Sequence, residues 1–378
     1  MLPPRPGVTY RYWACDLRTG VKLCELPLKP QGALPERISD VSTVVFTCDQ
    51  AAPQAGGDFI GFTTPGKTVI ICEREYDGDN TSDILWSGII TNRDAGTKPE
   101  ATLNCATPMA YYGRRHAGTH TYSEEVPGDT DELIIADLLA DAAPEGIGLI
   151  LDVDCPTPRT IRYLAPEHKP VLDCLKDLSD MENGPEFTVI TRWTDADRLS
   201  IEFVFYARIR LGWAGVPNAR FDFPGSIREY TVHDDYTEGH GGNHIIGVEG
   251  EASSAPVRDE EALAQGWPRW EDTVEKTGEL GPTGLTGIAR TALQRRARGQ
   301  STVDMAVDLT LGPQYLRDFN LGDNITFFVY GPKNPGDTPP SFRHPAGHQE
   351  TIRVIGGALD PGADTYTPVL WNPYEEAS

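Results

Sequence analysis

Histidines and carboxylates gather most densely at His233-Asp234-Asp235, followed by His240 and His244. Imidazole nitrogens and carboxylate oxygens are the ligands of zinc and related cations, so this stretch is a candidate metal site. Its spacing matches no helix-borne zinc pattern. Gly239, Gly241 and Gly242 between the histidines describe a turn, so a polar loop between strands is the expected reading. Asp77-Gly78-Asp79-Asn80-Thr81-Ser82-Asp83 has the oxygen density of a calcium loop. The glycine such a loop needs at its sixth position is Ser82, and the bidentate glutamate at its twelfth is Gly88, so a solvated hairpin turn is expected. Glu73, Glu75 and Asp94 are carboxylates that a cell-wall hydrolase could use as acid and base, but nothing in their setting separates them from surface charge. No GxSxG elbow, HExxH helix or phosphate-binding loop is read from the sequence. The chain is therefore read as non-enzymatic, with no catalytic residue, cofactor-binding residue or metal ligand assigned and no cofactor required.

Two basic clusters stand out, Arg114-Arg115-His116 and Arg295-Arg296-Ala297-Arg298. The second ends a helical pattern, where cations complement the negative end of the helix dipole; contact with an acidic neighbour is the alternative. Tyr111-Tyr112 and Trp267/Trp270 fit interface anchors or core residues equally well. Trp193, Trp213 and Trp267 are the aromatics through which a carbohydrate-binding alternative would act.

These residues must be positioned by elements whose class the composition constrains. At 378 residues the chain exceeds one ordinary core, and 39% hydrophobic residues suffice to bury several, so wholesale disorder is excluded. Frequent Gly (38) and Pro (31) suit many short strands joined by turns. A net charge of −23 argues against a free-standing nucleic-acid binder, which needs a basic face to replace phosphate counterions. All seven cysteines lie in the first half with no CxxC pair, and they read as reduced core thiols. The N-terminus lacks a basic segment followed by an apolar one, and no apolar run has the length of a membrane span, so neither a leader nor a span is expected.

Strands are expected at Thr9 to Asp16, Val21 to Leu28, Asp40 to Cys48, Lys67 to Glu75, Ile84 to Asn92 and Ala101 to Ala106. Two helices follow. One is capped by Thr130 or Asp131 and carries Leu133, Ile134, Ala136, Leu138 and Leu139; the other starts at Pro166 or His168 and carries Val171, Leu172, Leu175 and Leu178. A strand pair, Glu186 to Trp193 and Leu199 to Tyr206, completes an α+β middle. Beyond it come strands from Ile227, from Asn243 to Gly250, and from Ser301, Asn324, Glu350 and Tyr366, with a helix at Thr283 to Gly299. The expected fold class is β-rich α+β. Its expected domains are a β-barrel-like one at 1–115, an α+β middle at 116–225 and a second β-barrel-like one at 226–378.

Several segments, taken in order, resemble minor tail proteins of long-tailed, siphovirus-type phages of actinobacteria. They are Tyr10-Arg11-Tyr12, Cys15-Asp16-Leu17-Arg18-Thr19-Gly20, Glu25-Leu26-Pro27-Leu28, Leu85-Trp86-Ser87-Gly88-Ile89-Ile90, Cys105-Ala106 to Arg114-Arg115, Asn320-Leu321-Gly322-Asp323 and Arg353-Val354-Ile355-Gly356. The chain departs from that pattern at Ile38 to Val45, where the family has a glycine-rich stretch. The resemblance implies a structural tail-tip hub similar to the baseplate hub of contractile-tailed phages, with two barrels separated by α+β insertions and three copies closing a ring. It implies as partners the distal tail protein, the tape measure protein and other minor tail proteins. The implied location is the distal end of the virion tail, assembled in the host cytoplasm, with DNA passing the lumen at ejection. The last residues, Glu375-Glu376-Ala377-Ser378, follow the final expected strand closely, so no appended peptidase or fibre is expected.

Overall fold

The computed structural model describes residues 7–51, 58–76, 81–181, 183–195, 197–206, 219–237, 241–275, 281–297, 300–334, 336–341 and 343–371. Apolar side chains at a period of two drive the N-terminal strands: β1 (Val8–Asp16), β2 (Lys22–Glu25), β3 (Leu28–Pro30), β4 (Leu34–Arg37), β5 (Thr43–Asp49), β6 (Thr68–Tyr76), β7 (Thr81–Asp94) and β8 (Glu100–Ala106). One short helix, α1 (Phe59–Phe62), precedes β6. Seven of these strands form an antiparallel sheet in the order β2-β1-β6-β7-β8-β5-β3. The single strand expected at Val21 to Leu28 is broken at Pro27, which has no N–H for a ladder. Its halves become the two opposite edges of the sheet, separated only by Leu26 and Pro27. Because consecutive Cα atoms lie about 3.8 Å apart, the sheet must curl until its edges meet.

Every strand of this sheet sends side chains to the inner face, among them Ala14, Leu28, Phe46, Ile70, Trp86 and Leu103, all in one buried cluster. The alternate positions Cys15, Val69, Ile71 and Ile89 point outward into a second cluster. That second cluster is completed by the middle region: β9 (His120–Tyr122), α2 (Asp131–Ala142), β10 (Ile150–Asp154), β11 (Ile161–Tyr163), α3 (Val171–Asp180), β12 (Glu186–Asp195) and β13 (Arg198–Tyr206). In α2 the buried face is Ile134, Ile135, Leu138 and Leu139, whereas Leu133 is 40% exposed. Helix α3 starts at Val171, later than Pro166 or His168, because Ala165–Glu167 form a separate 3-10 turn that ends at His168 with φ 50. The expected strand pair is present as β12 and β13, with β10 added in parallel to β13.

The last region contains β14 (Ala219–Phe223), β15 (Ile227–Asp235), β16 (His244–Glu249), β17 (Ala252–Ser253), β18 (Val257–Arg258), α4 (Glu260–Ala264), β19 (Glu271–Glu275), α5 (Gly281–Arg296), β20 (Gln300–Asp308), β21 (Asn324–Val329), β22 (His348–Asp360) and β23 (Thr365–Trp371). A second sheet runs β14-β21-β22-β23-β20-β15, and again its edge strands are neighbours in sequence, joined by Pro224, Gly225 and Ser226. It too must curl. Strand β4 leaves the N-terminal sheet and pairs antiparallel with β22, from Leu34 against Leu359 to Arg37 against Gly356. The inner faces of both sheets belong to the same buried cluster.

Between β15 and β20 the chain makes an excursion of its own. Strands β16 to β19 form a small sheet covered by α5, with Ile245, Ala289, Ala292, Leu293 and Ala297 as its core. Helix and sheet touch backbone to backbone at Gly247, where a Cβ would lie 2.3 Å from the Leu285 carbonyl oxygen. The protein is thus β-rich with few helices. Among the described residues no helix is long and apolar enough to cross a membrane.

Candidate functional site

Polar and charged side chains concentrate where the N-terminal sheet, the middle sheet and the C-terminal sheet meet. Arg353 on β22, its side chain 1% exposed, forks onto Glu186 on β12, with Nη1 donating to Oε1 at 2.6 Å, and its Nε donates to the Gly322 carbonyl at 3.2 Å. Arg74 on β6, equally buried, donates to Asp364 Oδ2 at 2.7 Å and to the Tyr76 hydroxyl at 3.1 Å. Tyr10 donates to the other Asp364 oxygen at 2.6 Å. Burial and that bond to a carboxylate push the Tyr10 hydroxyl far above its ordinary range. Arg317 pairs with Asp83 at 2.6 Å and stacks its guanidinium 3.4 Å from the Tyr76 ring centroid.

A further device ties the middle sheet to the N-terminal one. Glu73 on β6 accepts the indole N–H of Trp13 at 2.6 Å and of Trp193 at 2.8 Å, and the Ser82 hydroxyl at 2.8 Å. The Lys22 ammonium lies 3.9 Å and 4.1 Å from the two indole centroids, a cation held between two ring faces.

A cleft of about 460 Å³ opens beside these contacts, lined among others by Glu36, Asp83, Trp86, Thr191, Trp193 and Tyr315. The Tyr315 hydroxyl donates to Glu36 Oε2 at 2.7 Å, and its ring stacks on Tyr366 at 4.6 Å. Desolvation pushes the Glu36 carboxyl up to about 7, against the opposing hydrogen bond from Tyr315. Arg74, Arg317 and Arg353 beside the cleft are each already paired with a protein carboxylate.

The sequence-highlighted residues scatter. His233 pairs with Asp304 at 3.1 Å and Asp234 with Arg343 at 2.8 Å on the outside of β15, while His244 is buried on β16. His240 lies outside the described residues, and among those described no group of three or more metal-ligating side chains gathers. Of the calcium-like stretch, 77–80 lie outside the described residues, and Ser82 and Asp83 serve the junction. Glu73 is buried by its indole partners, Glu75 pairs with Arg11 at 3.0 Å, and Asp94 is exposed at the end of β7. Glu73 is therefore a buried, hydrogen-bonded carboxylate and not surface charge.

Arg115 donates to the Pro144 carbonyl at 3.0 Å, His116 packs on His168 at 5.5 Å, and Arg114 is exposed. In the second basic cluster Arg296 pairs with Asp272 at 2.7 Å, and Arg298 lies outside the described residues. Tyr112 is buried and stacks on Phe203 at 5.1 Å. Trp193 belongs to the junction, Trp213 lies outside the described residues, and Trp267 and Trp270 are exposed.

One match escaped the sequence reading. Gly61-Phe62-Thr63-Thr64-Pro65-Gly66-Lys67-Thr68 fits the phosphate-loop consensus GxxxxGK[ST]. In the structure it runs from the last two residues of helix α1, Gly61 and Phe62, to the first residue of strand β6, Thr68, the reverse of the strand-to-helix order that aims helix N–H groups at a phosphate. It is a helix-to-strand turn. The seven cysteines are all free, and burial pushes the Cys15 and Cys155 thiols up to about 12, which keeps them protonated core residues.

No protein-family model and no curated protein matches the chain. Among solved structures the fold is similar to prophage tail protein gp18 from Listeria monocytogenes EGD-e, with a TM-score of 0.51 and 12% identity over 96% of this chain and 95% of that one. The tail protein from Neisseria meningitidis MC58 gives 0.49 and 12% over 96% and 90%, and the 43 kDa tail protein of prophage MuSo2 from Shewanella oneidensis gives 0.48 and 13% over 97% and 94%. At 12% identity the Listeria likeness is one of fold, and it extends over almost the full length of both chains.

Proposed function

We propose that the chain is a structural phage tail protein, the hub that closes the distal end of the tail tube and anchors the tip proteins and the tape measure protein. The carrying observation is the pairing of two curled sheets through β4, in a fold shared with a prophage tail protein along nearly its entire length. A chain with two such sheets supplies two of the six positions of a ring that matches a hexameric tube, so three copies close it; the two sheets are then two related barrels flanking the middle region, within domains 1–115, 116–225 and 226–378. The work is complementarity and closure, with no bond made or broken. Buried charge pairs at the junction hold both sheets in one fixed relation, which a ring transmitting force along its axis requires. The acidic balance of −23 lets DNA pass a lumen without sticking.

Cryo-electron microscopy of virions, with native mass spectrometry of the purified chain, tests this reading. A ring of three copies around the tail axis is the expected outcome. A single copy at the tail periphery would sink the reading, and so would a basic lumen for the DNA passage.

A further inference from the structure

The unit inserted between β15 and β20 carries two indoles exposed among the described residues, Trp267 at 37% and Trp270 at 50%. Tyr236 lies against both, its ring centroid 5.3 Å from Trp267 and 5.7 Å from Trp270. The backbone that carries the rings is held in place. Asn243, fully buried, donates from its amide to the Pro268 carbonyl at 2.9 Å and accepts the Trp270 backbone N–H at 2.8 Å. The Trp267 N–H bonds the Ala262 carbonyl at 3.1 Å. At the rim, Arg269 pairs with Glu271, and Arg296 pairs with Asp272. The surface is therefore a rigid aromatic step beside alternating donors and acceptors, with its charges paired.

The dimensions select the occupant. The two indoles offer roughly 200 Å² of apolar surface, against about 800 Å² that each partner buries in a standard protein interface. Within 236–297, Trp267 and Trp270 are the large apolar side chains exposed among the described residues. Single-stranded nucleic acid also stacks on aromatic rings, but it needs a basic groove that the paired charges here do not supply. A pyranose ring fits both properties. Its C–H face is apolar and flat, its rim carries hydroxyls that donate to a carboxylate and accept from a guanidinium, and it brings no charge.

We propose that Tyr236, Trp267 and Trp270 form a saccharide platform that stacks an uncharged pyranose unit of a polysaccharide, with Arg269 and Glu271 bonding its hydroxyls. The site stands apart from the junction and does not depend on the hub reading.

The test uses the full-length protein and an array of neutral oligosaccharides of glucose, mannose, galactose and N-acetylglucosamine, followed by titration of tryptophan fluorescence with each array hit. At least one saccharide is expected to bind saturably, with its affinity reduced tenfold or more in Trp270→Ala and abolished in the Trp267→Ala/Trp270→Ala double variant. These variants should stay folded, each unfolding in a single cooperative transition lowered by a few degrees at most, since a third or more of each tryptophan is exposed. Arg269→Met is expected to weaken binding severalfold while leaving both rings in place, which separates loss of contact from loss of fold. No binding across the array overturns the proposal, as does binding unchanged in the double variant. A protein complex or self-association that the double variant abolishes, without saccharide binding, overturns it in favour of a protein interface.

Discussion

In the N-terminal sheet β6 is buried along nearly its whole length, with Ile70 and Cys72 facing inward and Val69 and Ile71 facing the middle region. In the C-terminal sheet β15 is mostly exposed, with Tyr230 and Val232 packed against the inner cluster and Thr231 and His233 exposed. Both sheets bring sequence-adjacent strands together at their edges, yet one is covered on both faces and the other leaves an edge strand to solvent. The difference locates stability in the layer shared by three sheets and leaves the edge free to carry an inserted unit. It also accounts for the charges: Arg74 and Arg353 lie where layers meet, and with water excluded each must be matched by a carboxylate.

The comparison breaks most visibly at Arg353. Arg353→Met should destabilise the fold by about 3–5 kcal/mol in chemical denaturation, because it leaves Glu186 without its fork-like partner. A loss below about 1 kcal/mol would show that the middle and C-terminal sheets are not coupled there. Next, Ile71→Ala should cost about 2–4 kcal/mol, whereas Thr231→Ala on the outer face of β15 should stay within about 0.5 kcal/mol. Similar values for the two would erase the contrast. Gly88→Ala tests packing inside the N-terminal sheet: a Cβ there would lie 2.1 Å from the Trp86 ring, so a cost of about 1–3 kcal/mol is expected.

Glu36 sharpens the comparison at the point where the sheets join. Its folded carboxyl is pushed up to about 7 by burial, above an unfolded value near 4.3, so its contribution to stability is full below about pH 4.3 and lost as pH rises through 7. Glu36→Gln stays neutral and keeps an oxygen to accept from Tyr315. The variant should match the parent near pH 4 and exceed it by up to about 3–4 kcal/mol at pH 8. Unfolding midpoints that run parallel across that range would show that the carboxyl is solvated through the cleft.

The elements were legible wherever burial leaves a local imprint. The run Val69-Ile70-Ile71-Cys72 announces a strand, and Leu285, Ile288, Ala289, Ala292 and Leu293 announce α5, because side-chain period follows from which faces are covered. The junction was not legible. Glu73 in the sequence is one acidic residue among many; its role depends on Trp13 and Trp193, 60 and 120 positions away. Trp267 and Trp270 stand out in the sequence, but whether they are core or surface depends on the elements that cover them.

By itself the sequence determined a β-rich chain with an amphipathic helical middle and unpaired cysteines placed for burial, while the strand expected from Val21 to Leu28 runs through Pro27 without the break that its missing N–H imposes. Only the tertiary structure decided that the halves of that break become opposite edges of one sheet, that Leu34–Arg37 cross over to β22, and that β10 joins β13 in parallel. Backbone N–H and C=O groups are chemically alike along every strand, so strand identity carries no partner address. Partners are chosen by which apolar faces can be buried together, a property of the assembled layers.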